Sequence, residues 1–199
     1  MRLLREYIRE MLLTEAAKGI KDLSEWEFVR VIKKDGYVQF SIQYEAEDGE
    51  YTPPVGAVLI VQRRAPPPCL KAWMVAHAFA KGGWGPLLYD VAMEWATEYG
   101  NGMMSDRVSV SKDAYGVWDY YMKNRSDVEV EQLDLPNDSF KNGPQDDCKQ
   151  SSTFKHLVKQ GLDDDEWVNI PLSKVYRKPG MKTINALKAA GKFREEEGR

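Results

Sequence analysis

The sequence predicts an α/β (α+β) fold: a single mixed, mostly antiparallel sheet with flanking helices. Two observations predict the class. Short runs rich in Val, Ile, Phe and Tyr are separated by turn residues in the first third of the chain, as in antiparallel strands. They are followed by strand, glycine cluster, helix, strand and helix, an order that builds helices onto the same sheet. A third observation sets the scale: 199 residues suffice for one medium domain with a proper core.

Residues 1–17 form a separate amphipathic helix ahead of a domain spanning 18–199. Leu4, Tyr7, Ile8, Met11 and Leu12 share one face, and Arg2, Arg5, Glu6, Arg9 and Glu10 the other. Lys18 to Ser24 reads as a joint. Strands are expected over Phe28–Lys33 and Tyr37–Tyr44, with Lys34-Asp35-Gly36 as the hairpin turn. Glu47 to Pro54 is loop, and Val55–Gln62 is a third strand. Pro66-Pro67-Pro68 cannot join a hydrogen-bonded ladder and makes a stiff connection to a fourth strand, Leu70–Phe79.

A helix runs from the glycine cluster to about Tyr99, where Gly100-Asn101-Gly102 stops it with a left-handed cap. Met103–Val110 reads as a buried strand and Asp113–Lys123 as a helix. Asp134 to Gln150 is a polar surface loop, Phe154–Gln160 a short helix and Trp167–Val175 a late strand. Met181–Ala190 is helical, and Phe193–Arg199 is a charged tail.

The glycine cluster carries the most chemistry. The apolar run from Trp73 to Phe79 leads through Ala80-Lys81-Gly82-Gly83-Trp84-Gly85 into a helix whose Leu87, Leu88, Val91, Ala92 and Trp95 recur at helical spacing. Glycines let a backbone approach a bulky anion, and the first helical amides are unpaired donors, so the turn can cradle a phosphate or diphosphate. Pro86 suits the first helical turn. The plain alternative is a tight strand-to-helix turn. Leu88 stands where a dinucleotide-binding turn has its third glycine, and no Gly-Lys-Ser/Thr of a P-loop follows.

Composition excludes several classes. A net charge of -3 gives no global attraction to nucleic acid or an anionic membrane. Cys69 and Cys148 are far apart and form no C-x-x-C pair, which argues against a disulfide scaffold or zinc site and for a reducing compartment. With His77 and His156 the only histidines, no metal site is expected. No apolar run approaches a membrane span, and the first residues lack a signal-peptide core, so a cytoplasmic location is expected.

With these elements in order, the chain resembles the GNAT acyltransferase superfamily. In that family a valine on the signature strand is followed, eight residues on, by a Gly-x-Gly turn; here these are Val75 and Gly83-Trp84-Gly85. A second block of polar residue, alanine and aromatic is matched by Ser111, Ala114 and Trp118. The similarity covers about residues 26–135 and is clearest over 70–124. It implies that the cofactor is acetyl-CoA, an acyl-CoA thioester, held by Val75, Lys81, Gly82, Gly83, Trp84, Gly85, Pro86, Leu87 and Ser111. The acceptor would be an amine, on a protein or a small molecule.

The departures are specific. Ala80 stands where the family has Arg or Gln, leaving Lys81 as the neighbouring charge. Trp118 stands where the family commonly keeps a tyrosine acid, and indole is no proton donor at neutral pH, so Tyr115, Tyr120 and Tyr121 are the candidate acids. No acidic residue lies between Leu70 and Phe79, which leaves Asp106 and His77 as candidate bases. Each also has a plain reading, Asp106 as a partner of Arg107 and His77 as a sheet histidine. A binding or structural protein that kept the fold and lost the chemistry is the alternative function.

Met1 to Ala16 resembles the capsid-targeting leader of internal head proteins of tailed bacteriophages. That resemblance implies a capsid scaffold as partner of residues 1–15, cleavage after Glu15 in Leu13-Thr14-Glu15, and packaging in the virion. A helix packed on its own domain is the simpler account. Two further features have plain readings. The basic residues Lys174, Arg177, Lys178, Lys182, Lys188, Lys192 and Arg194 suit a solvated face balanced by Glu195 to Glu197 more than a nucleic-acid patch. Asp163-Asp164-Asp165-Glu166 lacks the alternating spacing of a calcium loop. Trp73, Trp95 and Trp118 belong to the core by spacing, whereas Trp84, between two glycines, is expected to face solvent or ligand.

Overall fold

A computed structural model describes residues 17–46, 49–62, 71–106, 110–133 and 170–198. Within them the strands are β1 (Glu27–Lys34), β2 (Tyr37–Tyr44), β3 (Gly56–Val61), β4 (Trp73–Ala80), β5 (Met103–Met104), β6 (Glu129–Gln132), β7 (Lys174–Arg177) and β8 (Phe193–Glu197). The helices are α1 (Gly85–Glu98), α2 (Lys112–Asn124) and α3 (Lys182–Ala189). The expected leader helix up to residue 16, the triproline, the polar loop at 134–150, the helix at 154–160 and the acidic run at 163–166 lie outside the described residues.

All eight strands join one mixed sheet in the order β6-β7-β5-β4-β3-β2-β1-β8. β1 to β4 form an antiparallel meander, β4 and β5 run parallel, and β7 lies antiparallel between β5 and β6. The β1–β2 hairpin turns at Asp35-Gly36, where Gly36 takes φ 80.

Alternation decides which side of the sheet is covered. Val29 and Val31 of β1, Val38, Phe40 and Ile42 of β2, and Val58 and Ile60 of β3 are buried in one cluster. α1 lays Leu87, Leu88, Val91, Ala92 and Trp95 on that cluster, α2 adds Trp118 and Tyr121, and α3 adds Ile184 and Leu187. Each such apolar side chain contributes about 1.5–3 kcal/mol of burial. Neighbouring strand residues point the other way: Met104 and Val175 join Ala72 and Leu133 in a small cluster on the opposite face.

Several expectations change. Residues 193–197 are no free tail: β8 pairs parallel with β1, Val29 to Phe193 through Lys33 to Glu197. Its charges have partners, Arg30 with Glu196 at 2.6 Å and Lys33 with Glu197 at 3.4 Å. β5 is two residues long rather than eight, and β7 starts at Lys174 after a 3-10 turn over Pro171–Ser173 rather than at Trp167. β6 had no sequence signal, because its burial pattern is exposed throughout except at Gln132. The stop after α1 is real, but the left-handed residue is Gly102 (φ 92), whose amide reaches back to the Ala96 carbonyl at 3.1 Å. A Cβ there would lie 2.5 Å from the Tyr176 carbonyl oxygen.

Candidate functional site

β4 controls the geometry around the glycine turn. Leu59 of β3 faces His77, but Ile60 faces Val75, so Ala76 is an extra residue on β4, a β-bulge. Before the bulge, Trp73 and Val75 point into the helix-covered core. After it, Ala78 packs on that core, and His77 and Phe79 turn outward, their rings 5.9 Å apart. Had the same residues alternated regularly, His77 and Phe79 would point beneath α1. His77 is exposed, and its imidazole has no hydrogen-bond partner among the described residues.

β4 and β5 pair only at Trp73 with Met103 and Met74 with Met104. Val75 and Ala76 have no ladder partner on the β5 side among the described residues, so the two strands part there and leave a gap; residues 107–109 lie outside the described residues. Asp106 is half-buried, two residues past the end of β5.

At the end of β4 the chain enters the turn. The Lys81 amide bonds the Val55 carbonyl at 3.0 Å, Gly82 and Gly83 take φ 60 and 81, and Trp84 is the residue before α1. The amides of Gly82, Gly83, Gly85 and Leu87 have no acceptor among the described residues. The first turn of α1 has no acidic side chain to neutralise it. Contrary to expectation, Trp84 is buried, 4% exposed, and its indole belongs to the main core cluster rather than facing out. Lys18 covers this turn: its amide bonds the Gly83 carbonyl at 3.0 Å, and its ammonium lies 4.9 Å from the Trp84 ring centroid.

The other expected residues separate. Val75 faces the core, leaving its backbone for the gap. Ser111 caps α2, its hydroxyl accepting from the Ala114 amide at 3.1 Å. Tyr115 is half-buried in the first turns of α2, its phenol pKa raised by burial and by Asp119. Tyr120 is exposed. Tyr121 is 2% exposed and donates to Asp90 at 2.7 Å; burial and that carboxylate push its pKa well up, so it is a locked donor rather than an acid for the gap. Trp118 is packed between the rings of Tyr89 and Tyr176, with centroids at 5.7 and 4.9 Å.

A polar centre that the sequence did not reveal lies beside the third turn of α1. Glu94, fully buried, accepts from Lys178 Nζ at 2.7 Å, from the Thr183 amide at 2.9 Å and hydroxyl at 2.7 Å, and from the Ile184 amide at 2.9 Å. Lys178 also lies 3.2 Å from Asp90, which Arg125 binds at 2.9 Å. A cavity of about 240 Å³ opens there, lined by Glu94, Asp127, Glu129, Lys178 and Lys182. The only sequence signal was the basic run containing Lys178. Most of that run is used internally: Arg177 pairs with Glu131, Lys188 with Glu195 and Arg194 with Glu45.

Among the described residues no three metal-ligating side chains cluster, and no helix is long and apolar enough to cross a membrane. No protein-family model and no curated protein matches the sequence.

Proposed function

We propose that the chain is a GNAT-type acyltransferase that moves an acetyl group from acetyl-CoA to an amine. One arrangement carries this reading: among the described residues β4 pairs with β5 only at Trp73 and Met74, and it runs on into a glycine turn and helix start with four amides that have no acceptor. Gly82, Gly83 and Gly85 would hold the diphosphate, because donors with no internal acceptor and an unneutralised helix start favour a multiply charged anion.

Coenzyme A would supply an acyl group activated as a thioester. Asp106, two residues past the end of β5, would take the proton of the incoming amine. Tyr115 is the phenol that can return a proton to a leaving thiolate, being in the half of α2 nearest β5 along the chain, with Tyr121 bound to Asp90. The proposal includes the leader: residues 1–15 would bind a capsid scaffold and be removed after Glu15, so protein from mature particles would begin at Ala16.

Trp118 favours a second reading, in which the domain binds the thioester without transferring its acyl group. It occupies the acid position with a buried indole. Calorimetric titration with acetyl-CoA tests binding, with Gly85→Trp as control. Gly85 has ordinary φ, and a Cβ there meets only Ala80 at 3.8 Å, so the bulky residue fills the turn without backbone strain. Binding lost in the control supports the site, and transfer to an amine then separates enzyme from binder. Absence of binding at millimolar ligand sinks both readings.

A further inference from the structure

We propose that Lys18 is the cation that holds the diphosphate at the glycine turn, an inference that rests on the acyl-CoA reading above. Adjacency in sequence points to Lys81, and both lysines are exposed, but of Lys81 only the backbone is fixed, through Val55. Lys18 arrives from a different part of the chain. Its amide is bonded to the Gly83 carbonyl, which ties its backbone to the turn itself. Its ammonium lies 3.4 Å from the position a Gly82 Cβ would take and 4.9 Å from the Trp84 ring centroid.

Two independent sources of unsatisfied positive potential therefore meet. One is the set of unbonded amides of Gly82, Gly83, Gly85 and Leu87. The other is an ammonium whose described contact is the face of an indole, with no carboxylate in ion-pair range among the described residues. The indole holds the cation in place by a cation–π contact without neutralising its charge. Buried Trp84 thus has a role that its position between two glycines does not suggest: it is the platform on which the cation rests. The class of ligand that satisfies amides and ammonium together is a diphosphate or phosphate ester. Lys18 would then replace the charge that Ala80 lacks.

The test compares the full chain with Lys18→Met, Lys18→Arg and Lys81→Met by calorimetry. The titrants are acetyl-CoA, acetyl-pantetheine, which lacks the diphosphate, and inorganic pyrophosphate. Lys18→Met should weaken acetyl-CoA and pyrophosphate by about tenfold or more, with acetyl-pantetheine unchanged and Lys18→Arg restoring most of the loss. A local packing defect would weaken acetyl-pantetheine as well, and that result overturns the proposal. So does loss in Lys81→Met with none in Lys18→Met, which would leave the acyl-CoA reading standing. No binding of acetyl-CoA by the unaltered chain removes that reading and this inference together.

Discussion

The Lys178 ammonium and the Glu94 carboxylate lie 2.7 Å apart, both buried, although 84 positions separate them in the chain. The pair joins α1 to the residue just after β7. The same carboxylate accepts the Thr183 and Ile184 amides, so it also caps α3 from outside the helix. Glu94→Gln should cost about 3–5 kcal/mol, because Lys178 keeps its charge with less to neutralise it in the interior. Urea melts will give the value; a loss under 1 kcal/mol would mean that Asp90 alone satisfies the ammonium.

Two glycines should respond in opposite directions. Gly116 lies within α2 with nothing within 4 Å of an added Cβ, so Gly116→Ala should stabilise by about 0.5–1 kcal/mol. Gly102 combines φ +92 with a Cβ position 2.5 Å from the Tyr176 oxygen, and Gly102→Ala should cost roughly 2–3 kcal/mol. Thermal melts of the two variants side by side decide the signs.

Acid should weaken the junction between α2 and β6. Asp127 receives both Arg125 Nε and Nη2 at 2.8 Å, and those hydrogen bonds hold its carboxyl down at about 2, against an ordinary 3.8. A depressed carboxyl adds stability that is complete above its unfolded pKa and is lost as pH falls through the folded one. The loss should therefore run from about pH 4 to about pH 2. Asp127 is half exposed, so its share is at most about 1 kcal/mol. Asp127→Asn should flatten the stability–pH curve in that window, measured by denaturant melts across it.

Removing residues 193–198 should make the protein self-associate. β8 covers the outer edge of β1, and its loss bares a row of unpaired backbone groups alternating with Val29 and Val31. Light scattering at equal concentration should show larger species in the shortened chain; a monomer would mean that the edge is protected in another way.

Much of the fold was legible because it is local. β2 matches its expected limits, since Val38, Phe40 and Ile42 alternate cleanly, and α1 follows from Leu87, Leu88, Val91 and Trp95. What was missed depends on distant partners. Glu195 to Glu197 read as a solvated tail because nothing nearby in sequence reveals Arg30 and Lys33 waiting on β1. Glu94 carries no signal in the sequence because its donors come from Lys178 and Thr183. The bulge at Ala76 is invisible in a run of small and apolar residues, yet it decides which way His77 points. At the site, the glycine turn was legible from its residues, while the burial of Trp84 and the position of Lys18 over it were not.

The pairing of β1 with β8 also orders events during synthesis. β1 is made long before its second neighbour, which is complete only at residue 197. Arg30 meets Glu196 across 166 positions, a closure whose entropy must be met before the contact returns anything. A nascent chain halted anywhere before residue 193 would hold an unfinished edge, and any chaperone recognising exposed strands would find its binding site there.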